Sequence, residues 1–354
     1  MGQLQQEFKM AILDLNDKNK VAAFQAFVRE HPRGQVTQDP LWGDLKANWG
    51  HIYIYHETNG VIDAAMAVLT IEAVPGKLLA YSPKGPIADI QNVQLVKALV
   101  DEAVAVLPEN TFLIRLDPEE PYSDDLNEAY QQEGFTTRNR QITYMHGNIQ
   151  PRKNVVLYYD GRGDADKIVD EDSLMKHFKR DYRNQIRRSA RDGVVVTSGD
   201  SQEDVTAFFD TYVMMAKSQN ITHRPIDYFL RMQKLWAGTG LFKVFLAHFE
   251  DQVIASGIGF AYGDKIWYMY AGSNRAFTKH YAPYAVQWEM LKWGLSLNKV
   301  RYDFGGVGDF VPKDGLYKFK HGFAYHDAPV EYIGELDWVL DQEAYDQYLK
   351  GFSE

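Results

Sequence analysis

The sequence predicts an α/β (α+β) protein of two related domains, each a mixed, mostly antiparallel sheet with flanking helices. Three observations indicate this fold class. The chain has 354 residues, which is enough for two domains of about 150 residues each. One order of predicted elements (strand, tight turn, strand, strand, loop, helix, strand) occurs twice, which indicates an internal duplication. Apolar residues make up 45% of the sequence, which is a globular composition.

The first copy of this order follows two helices. Residues 39–49 open with Asp39 and Pro40, a capping residue and a first-turn proline, and therefore predict a helix. Alternating apolar residues on both sides of the turn Thr58-Asn59-Gly60 predict an antiparallel hairpin. The predicted elements are helices at 18–30 and 39–49, strands at 52–55, 61–71 and 78–82, a helix at 90–107 and a strand at 111–116.

The second copy repeats the order, with Glu250-Asp251 as the turn of its hairpin. Its predicted elements are strands at 243–249, 252–262 and 265–270, a helix at 284–297 and a strand at 300–304. Between the copies we expect one basic helix at 173–191, a strand at 194–197 and helices at 203–219 and 227–239.

The domain boundaries follow from the two copies. The acidic tail from Glu331 carries an apolar stripe of Tyr345, Tyr348 and Phe352, which predicts that it returns to pack on the first domain. We therefore expect a first domain at 10–152 with 330–354 and a second domain at 153–329.

Composition excludes several classes of protein. The net charge of -10 opposes sequence-blind binding of DNA or RNA, so a polyanion must bind at a local basic patch. The chain has no cysteine, which excludes a disulfide scaffold, Cys-ligated zinc and thiol nucleophiles and favours a cytoplasmic protein. No segment reaches the ~18 uncharged apolar residues of a membrane span, so we expect no stable membrane insertion.

Common catalytic signatures are missing from the sequence. There is no phosphate-binding loop of the Walker type, no dinucleotide fingerprint, no nucleophile elbow and no His-Glu-x-x-His motif. The ten histidines do not cluster with acids at ligand spacing, so no metal site is predicted. Hydrolases and nucleotide triphosphatases are therefore disfavoured.

The basic segment 176–191 carries a charge of +6 in a chain of net charge -10. Helical spacing places four arginines on one face, and apolar side chains on another. These four are Arg180, Arg183, Arg187 and Arg191. A solvated helix face is one interpretation, and a phosphate-bearing partner such as RNA is the other.

Three further segments carry side chains suited to a site. Residues 222–228 place Arg224 in an extended position before a proline, where its guanidinium could form a bidentate fork with phosphate or a structural salt bridge. Aromatic residues at 267–270 end a strand in a turn of small residues, where they could stack on a ligand or fill the core. At 315–323 a strand of alternating aromatics and lysines would place Lys318 and Lys320 on one face, opposite Phe319, as a surface strand or as a clamp for an oxyanion.

The order of these motifs resembles the FemABX family, the aminoacyl-tRNA-dependent transferases that build the interpeptide bridges of bacterial peptidoglycan. The resemblance runs from about residue 35 to residue 323. The matching blocks are Gln38-x3-Trp42-x3-Lys46, Lys84-Gly85-Pro86, Ile114-Arg115-Leu116-Asp117, the segment 183–193, His223-Arg224-Pro225-x2-Tyr228, Gln287-Trp288-Glu289, Tyr302-Asp303-Phe304-Gly305-Gly306, and Gly315-Leu316-Tyr317-Lys318-Phe319-Lys320-x-Gly-Phe323.

The resemblance implies a fold of two GNAT-like domains, in agreement with the duplication. Some family members carry a long helical coiled-coil arm, which the region 173–239 lacks. The chain is therefore similar to the compact FemX type, which modifies the soluble precursor UDP-MurNAc-pentapeptide. An acetyl-CoA-dependent GNAT enzyme is disfavoured, because neither copy has the glycine-rich loop that would bind pyrophosphate at a helix N-terminus.

The reaction implied by the resemblance moves Ala, Ser or Gly from tRNA to the side-chain amine of the third stem-peptide residue. Precursor binding falls to the first domain, and catalysis with the tRNA acceptor end to the second. By resemblance Lys46, Arg224, Tyr228 and either Tyr268 or Tyr270 would bind the precursor, while Lys320 and Phe319 would meet the acceptor end and the oxyanion. Asp117 is the candidate general base. The charge of the basic helix suggests Arg183, Arg187 and Arg188 as tRNA contacts.

The expected partners are thus aminoacyl-tRNA, as co-substrate without a further cofactor, and UDP-MurNAc-pentapeptide. We expect a monomer. Two alternatives stay open, namely the same transfer onto a lipid-linked precursor at the membrane and a non-catalytic sensor of precursor or tRNA. A sensor would tolerate the loss of Lys320, so the intact motif around this lysine favours the enzyme.

Overall fold

The computed structural model describes residues 8–144, 147–162 and 165–351. The described chain forms two compact units. Unit 1 comprises the described residues of Met1–Lys153 and Val330–Glu354, and unit 2 those of Asn154–Pro329. Phe352 of the predicted apolar stripe lies outside the described residues.

The helices and strands are numbered in chain order. The first part of unit 1 contains β1 (Phe8–Ile12), α1 (Lys18–Glu30), α2 (Pro40–Leu45), β2 (Gly50–Thr58), β3 (Val61–Val74), β4 (Lys77–Ser82), α3 (Val93–Val106), β5 (Thr111–Leu116), α4 (Asp124–Gln132) and β6 (Thr136–Arg138). Unit 2 contains β7 (Lys153–Tyr158), α5 (Glu171–His177), α6 (Arg180–Arg191), β8 (Val195–Gly199), α7 (Gln202–Gln219), α8 (Ile226–Trp236), β9 (Phe242–Phe249), β10 (Gln252–Tyr262), β11 (Lys265–Ser273), α9 (Ala282–Ser296), β12 (Arg301–Gly306) and α10 (Gly315–His321). The chain returns to unit 1 with β13 (Val330–Glu331), β14 (Glu335–Val339) and α11 (Gln342–Lys350).

The sheet of unit 1 has the strand order β1-β2-β3-β4-β5-β14-β6. Strands β4 and β5 are parallel, and their neighbours pair antiparallel, as in the β2–β3 hairpin. Helix α3 packs on the sheet because its apolar face, including Val96 and Leu99, is fully buried with Met66 and Ile114. Helix α11 places Tyr345 in a second apolar cluster of the same unit.

A network of buried charges joins β5 to β14. The guanidinium of Arg115 is fully buried and donates two hydrogen bonds to Asp337, of 2.7 and 2.6 Å. Glu335 lies 3.2 Å from the same guanidinium and also pairs with Arg138 at 2.8 Å. The hydroxyl of Tyr345 donates to Asp337 at 2.8 Å, which ties α11 into the network. Each buried charge thus has an opposite charge and hydrogen bonds, as its burial requires.

The sheet of unit 2 repeats this topology. Six of the seven strands of this sheet, in the order β8-β9-β10-β11-β12-β7, correspond to β1-β2-β3-β4-β5-β14 of unit 1, and β11 and β12 form a parallel pair at the same place in the sheet as β4 and β5. The predicted duplication and the mixed, mostly antiparallel sheets are confirmed. The strand next to the parallel pair has a different origin in the two units. In unit 2 it is β7, at the start of the unit, and in unit 1 it is β14, which follows unit 2 in the chain.

The small residues after Tyr270 form strand, not the expected turn. A methyl group on Gly272 would lie 2.3 Å from Oγ1 of Thr211 and 2.6 Å from Oγ of Ser256. The two hydroxyls are hydrogen-bonded to each other at 2.5 Å. Helix α7 therefore lies directly on β11, and the small side chains permit that close packing.

Two predicted helices differ most from the observed ones. The helix that begins after the Asp39 cap ends at Leu45, not at residue 49, because the chain turns before β2. The basic helix predicted at 173–191 is two helices, since Phe178 and Lys179 between α5 and α6 have extended backbone with ψ of 152° and 141°. In the residues that the structure describes, no helix combines the length and the apolar character needed to span a bilayer.

Candidate active site

A cavity opens in unit 2 where β11 and β12 separate. Their parallel register runs only from Lys265 and Arg301 to Trp267 and Asp303. The cavity beyond has a volume of about 730 Å³. Its lining residues come from α7, β10, β11, α9, β12, α10 and the loop between β11 and α9: Met215, Gln219, Ser256, Tyr268, Met269, Tyr270, Ala271, Gly272, Ser273, Arg275, Pro283, Tyr284, Val286, Phe304, Gly315, Leu316, Phe319 and Lys320. Such divergent strand ends are common ligand sites in α/β folds.

Lys320 lies in the wall of this cavity with only 8% of its surface exposed. Its Nζ donates a hydrogen bond of 2.7 Å to the carbonyl oxygen of Gly306. Burial lowers the pKa of Lys320 to about 8, against the attraction of the carboxylates of Asp303 and Asp314. The side chain is therefore mostly a cation at neutral pH, held at one point of the cavity wall.

The segment 315–323 is not the expected strand. Asp314 caps α10 by accepting hydrogen bonds from the backbone N–H groups of the first turn, so the chain is helical through residue 321. Successive residues of a helix are about 100° apart, which separates Lys318 from Lys320. Lys318 is exposed, whereas Lys320 faces the cavity, and the predicted shared face of the two lysines is wrong.

Phe319 also lines the cavity, next to Lys320 on α10. Its ring meets Tyr284 edge to face at 5.2 Å between centroids, and Phe323 one helical turn later at 5.5 Å. These contacts hold the ring in one orientation. Phe319 therefore gives the cavity an apolar wall beside the lysine cation.

Tyr268 and Tyr270 both line the cavity, and so does Met269 between them. In a regular strand only alternate residues share a face. Here the register with β10 shifts between Ile258 and Gly259, and Met269 has no partner residue in β10. The bulge directs Tyr268 and Tyr270 to opposite faces of the sheet. The Tyr268 phenol is hydrogen-bonded to Gln287 of α9, whereas the ring of Tyr270 lies 5.0 Å from that of Phe229 of α8 and 6.1 Å from that of Tyr212 of α7. Burial raises the pKa of the Tyr268 phenol to about 12.

Arg224 and Tyr228 lie beside Tyr270. The guanidinium of the exposed Arg224 lies over the ring of Tyr228, 4.6 Å from its centroid. The hydroxyl of Tyr270 donates to that of Tyr228 at 3.4 Å. The backbone N–H of Arg224 donates to the hydroxyl of Tyr212, a residue that the sequence did not single out. The structure thus brings Arg224, Tyr228 and Tyr270 together as a cation on an aromatic platform.

Helix α6 carries the three arginines proposed from charge. Arg187 and Arg188 are exposed, and Arg183 is half-buried. Arg188 lies 3.8 Å from a carboxylate oxygen of Asp192 and 5.1 Å from the ring centroid of Tyr281. A second cavity of about 290 Å³ opens here, lined by Asp181, Asn184, Gln185, Arg188, Arg191 and Tyr281. The exposed side of α6 is therefore basic and borders a cavity.

The opposite side of α6 packs on the end of α10. The hydroxyl of Tyr182 donates to the carbonyl oxygen of Lys318 at 2.6 Å. A methyl group on Gly322 would lie 2.0 Å from Cζ of Tyr182, so only glycine admits this ring. The contact links the basic helix to the helix that carries Lys320, and the sequence alone did not predict it.

Lys46 and Asp117 belong to unit 1. Lys46 is the C-terminal cap of α2, and its ammonium lies 5.5 Å from the ring centroid of Trp42. The carboxylate of Asp117 accepts hydrogen bonds from the hydroxyl of Tyr81 and the backbone N–H of Lys84. Burial raises the pKa of Asp117 to about 7, in spite of these bonds.

The family assignment follows from comparison with known proteins. The model of the FemAB family matches residues 20–253 and 242–349. The chain belongs to the FemAB family. Of its FemAB-type relatives, the UDP-N-acetylmuramoylpentapeptide-lysine N(6)-alanyltransferase of Weissella viridescens is 44% identical over 344 residues, covering 96% of this chain and all of that protein. The lipid II:glycine glycyltransferase of Staphylococcus aureus (strain COL) is 23% identical, over 90% of this chain and 91% of that protein.

Solved structures support the fold of this FemAB-family chain. The crystal structure of FemX superposes with a TM-score of 0.81 at 20% identity, covering 96% of this chain and 100% of that one. A tandem GNAT protein from the clavulanic acid biosynthesis pathway superposes with a TM-score of 0.52 at 11% identity, covering 94% of this chain and 98% of that one. The predicted resemblance and the tandem GNAT-like fold are confirmed.

The FemAB-family chain has no coiled-coil arm in its described residues. The longest helix between α5 and β9 is α7, with 18 residues. The elements between residues 171 and 236 are packed helices and one edge strand of unit 2. This agrees with the compact type that the sequence indicated.

Proposed function

We propose that this protein transfers an alanyl group from aminoacyl-tRNA to the side-chain amine of the lysine in UDP-MurNAc-pentapeptide. Support for the acceptor and for alanine comes from the relative with 44% identity over its full length. The observation that carries the chemistry is the Lys320 ammonium, anchored by Gly306 in a cavity with aromatic walls. The reaction would take place in the cytoplasm, where the soluble precursor is made.

In the proposed reaction the neutral lysine amine attacks the ester carbonyl of the aminoacyl-tRNA. A C–N bond forms, the C–O bond to the terminal ribose breaks, and the amine loses a proton while the leaving ribose hydroxyl gains one. The tetrahedral intermediate carries a negative oxygen. A fixed cation such as Lys320 stabilises the negative intermediate more than it stabilises the uncharged ester. It therefore lowers the barrier to transfer. A pKa of about 7 suits Asp117 to accept a proton, and we keep it as the proposed base.

The Arg224 cluster is our proposed site for the negatively charged part of the precursor. A guanidinium binds phosphate oxygens through two N–H groups, and the ring of Tyr228 supports it on one face. Tyr270 connects this cluster to the cavity because it contacts Tyr228 and also lines the cavity. Lys46 of unit 1 is proposed to bind the same nucleotide.

The basic face of α6 is our proposed tRNA contact. We expect the triple variant Arg183→Ala, Arg187→Ala, Arg188→Ala to weaken binding of aminoacyl-tRNA. The salt dependence of log Kd should fall by about 1 for each tRNA phosphate that the variant no longer neutralises. Electrophoretic or fluorescence titrations at several salt concentrations measure both quantities.

The matched control removes the same charge elsewhere. Lys18, Lys234 and Lys350 are exposed and lie on three other helices. Their triple alanine variant should keep the salt slope of the unaltered protein. Equal slopes for the arginine variant and the unaltered protein would reject α6 as the tRNA contact.

A transfer assay tests the proposed function. Purified protein is incubated with UDP-MurNAc-pentapeptide and tRNA charged with a pool of labelled amino acids, and the precursor is analysed by mass spectrometry. We expect one alanine on the lysine side chain. Absence of label on this precursor, with label on a lipid-linked precursor offered in parallel, would move the acceptor to the membrane. Absence of label on both, with retained precursor binding, would support the sensor instead.

A further inference from the structure

A short series of buried contacts lies behind Lys320. The side chain of Asp303 in β12 is fully buried, and its Oδ1 accepts a hydrogen bond of 2.7 Å from the backbone N–H of Gly305. Its Oδ2 lies 3.3 Å from Nζ of Lys265, which is 1% exposed. The next residue after Gly305, Gly306, supplies the carbonyl that holds the Lys320 ammonium. Asp303 therefore reaches Lys320 through two residues of backbone.

Gly305 lies in a bulge at the end of β12, because the register with β7 shifts between Asp303 and Gly306. Its φ of +78° is a conformation that glycine adopts readily and other residues rarely do. The hydrogen bond from Gly305 to Asp303 is made in this conformation. A carboxylate buried beside this bulge and paired with a buried lysine has no access to water, so its orientation is fixed by these two partners.

We propose that Asp303 is a positioning residue of this site: by holding the Gly305–Gly306 bulge, it places the Gly306 carbonyl and thus the Lys320 ammonium at the cavity wall. Lys265 pairs with the other carboxylate oxygen of Asp303. Asp303 touches no substrate in this proposal, and it acts through the bulge and through its charge. The inference rests on the proposed function and deepens it, because it assigns what aims the cation at the reacting carbonyl.

Asp303 also acts on Lys320 through its charge, in addition to its hydrogen bond with Gly305. The carboxylates of Asp303 and Asp314 both favour the charged form of Lys320, and the phenols of Tyr268 and Tyr284 line the same cavity. Burial works in the opposite direction and keeps the pKa of Lys320 near 8. Neutralising Asp303 should therefore lower the pKa of Lys320 further and reduce its cationic fraction at neutral pH.

The test compares two variants in which residue 303 is uncharged and which differ in one hydrogen-bond acceptor. Both carry Lys265→Met, so that no buried ammonium loses its partner and folding is preserved. Asp303→Asn in this background keeps an oxygen that can accept from Gly305, and Asp303→Ala removes it. Unfolding curves of both variants establish that each is folded before any rate is measured.

We expect kcat to fall by about 10–100-fold in the Asp303→Ala, Lys265→Met variant, as for residues that orient catalytic groups. The KM for UDP-MurNAc-pentapeptide should stay unchanged, because the precursor does not touch Asp303. The Asp303→Asn, Lys265→Met variant should recover most of kcat. Equal rates in the two double variants, or an unaltered kcat in the alanine variant, would overturn the positioning role.

A second readout needs no substrate. Acetic anhydride acylates neutral amines, so the rate of Lys320 labelling, followed by mass spectrometry, reports its protonation against pH. We expect a midpoint of about 8 in the unaltered protein, and in both double variants a midpoint below that of the Lys265→Met single variant, which differs from them only at residue 303. An unchanged midpoint would overturn the electrostatic part of the proposal. If the unaltered protein transfers nothing from tRNA but the midpoint shifts, the proposed function fails and the link from Asp303 to Lys320 stands.

Discussion

Replacing Lys320 by alanine is expected to lower kcat for aminoacyl transfer by about 10²–10³-fold, the loss typical of removing one oxyanion donor. The reason is that the ammonium, held 2.7 Å from the Gly306 carbonyl, is a buried cation fixed in the wall of the cavity. The measurement is single-turnover transfer of labelled alanine to UDP-MurNAc-pentapeptide. Binding of the precursor should change little, because the proposed precursor contacts are Lys46, Arg224, Tyr228 and Tyr270.

Lys318→Ala is the matched control for this experiment. It removes the same charge from the same helix, but Lys318 is exposed and its carbonyl, which binds Tyr182, is retained. We expect transfer rates near those of the unaltered protein. Loss of activity in both variants would contradict the assignment of Lys320 and favour a general effect of positive charge on tRNA binding.

Asp337→Ala is expected to lower the free energy of unfolding of unit 1 by about 3–5 kcal/mol, the range for breaking a buried ion pair. The substitution leaves the fully buried Arg115 without its two hydrogen bonds to one carboxylate and deprives Tyr345 of its acceptor. Such a loss is a large share of the stability of a typical domain. Urea unfolding followed by circular dichroism measures it.

An exposed ion pair provides the comparison. Asp101 pairs with Lys97 on α3 at 2.7 Å, and the Asp101 side chain is 51% exposed. Asp101→Ala should cause a several-fold smaller loss, because solvent screens such pairs. A similar small loss in Asp337→Ala would show that the buried network contributes little. The double variant Arg115→Met, Asp337→Ala should regain part of the stability, since the uncompensated charge is then absent.

The sequence predicted the elements whose patterns are local. Helix α1 and strand β5 have the predicted bounds, because apolar spacing and turn residues mark both ends of each. Much of the candidate site was also predicted, since Lys320, Phe319, Tyr268 and Tyr270 line one cavity. The parallel pairing of β11 with β12, at whose divergence the cavity lies, was not assigned from the sequence.

The remaining features depend on contacts between distant residues. Alternating aromatics and lysines at 315–320 fit a period of two, but the Asp314 cap and the packing of Tyr182 on Gly322 stabilise a helix. Asp303 looked like one acid within a strand, because its partner Lys265 lies 38 residues earlier. The bulge at Met269, which puts Tyr268 and Tyr270 on opposite faces of the sheet, likewise follows from pairing with β10.

The origin of β14 has a consequence for synthesis on the ribosome. All residues of unit 2 are contiguous, so this unit can fold as soon as it has left the exit tunnel. The first part of unit 1 is translated before unit 2, yet Arg115 lacks its partner until Asp337 has been made, so unit 1 is completed after unit 2. Chains arrested before residue 335 should yield a protease-resistant unit 2 while unit 1 is still digested, and resistance of both would refute this order.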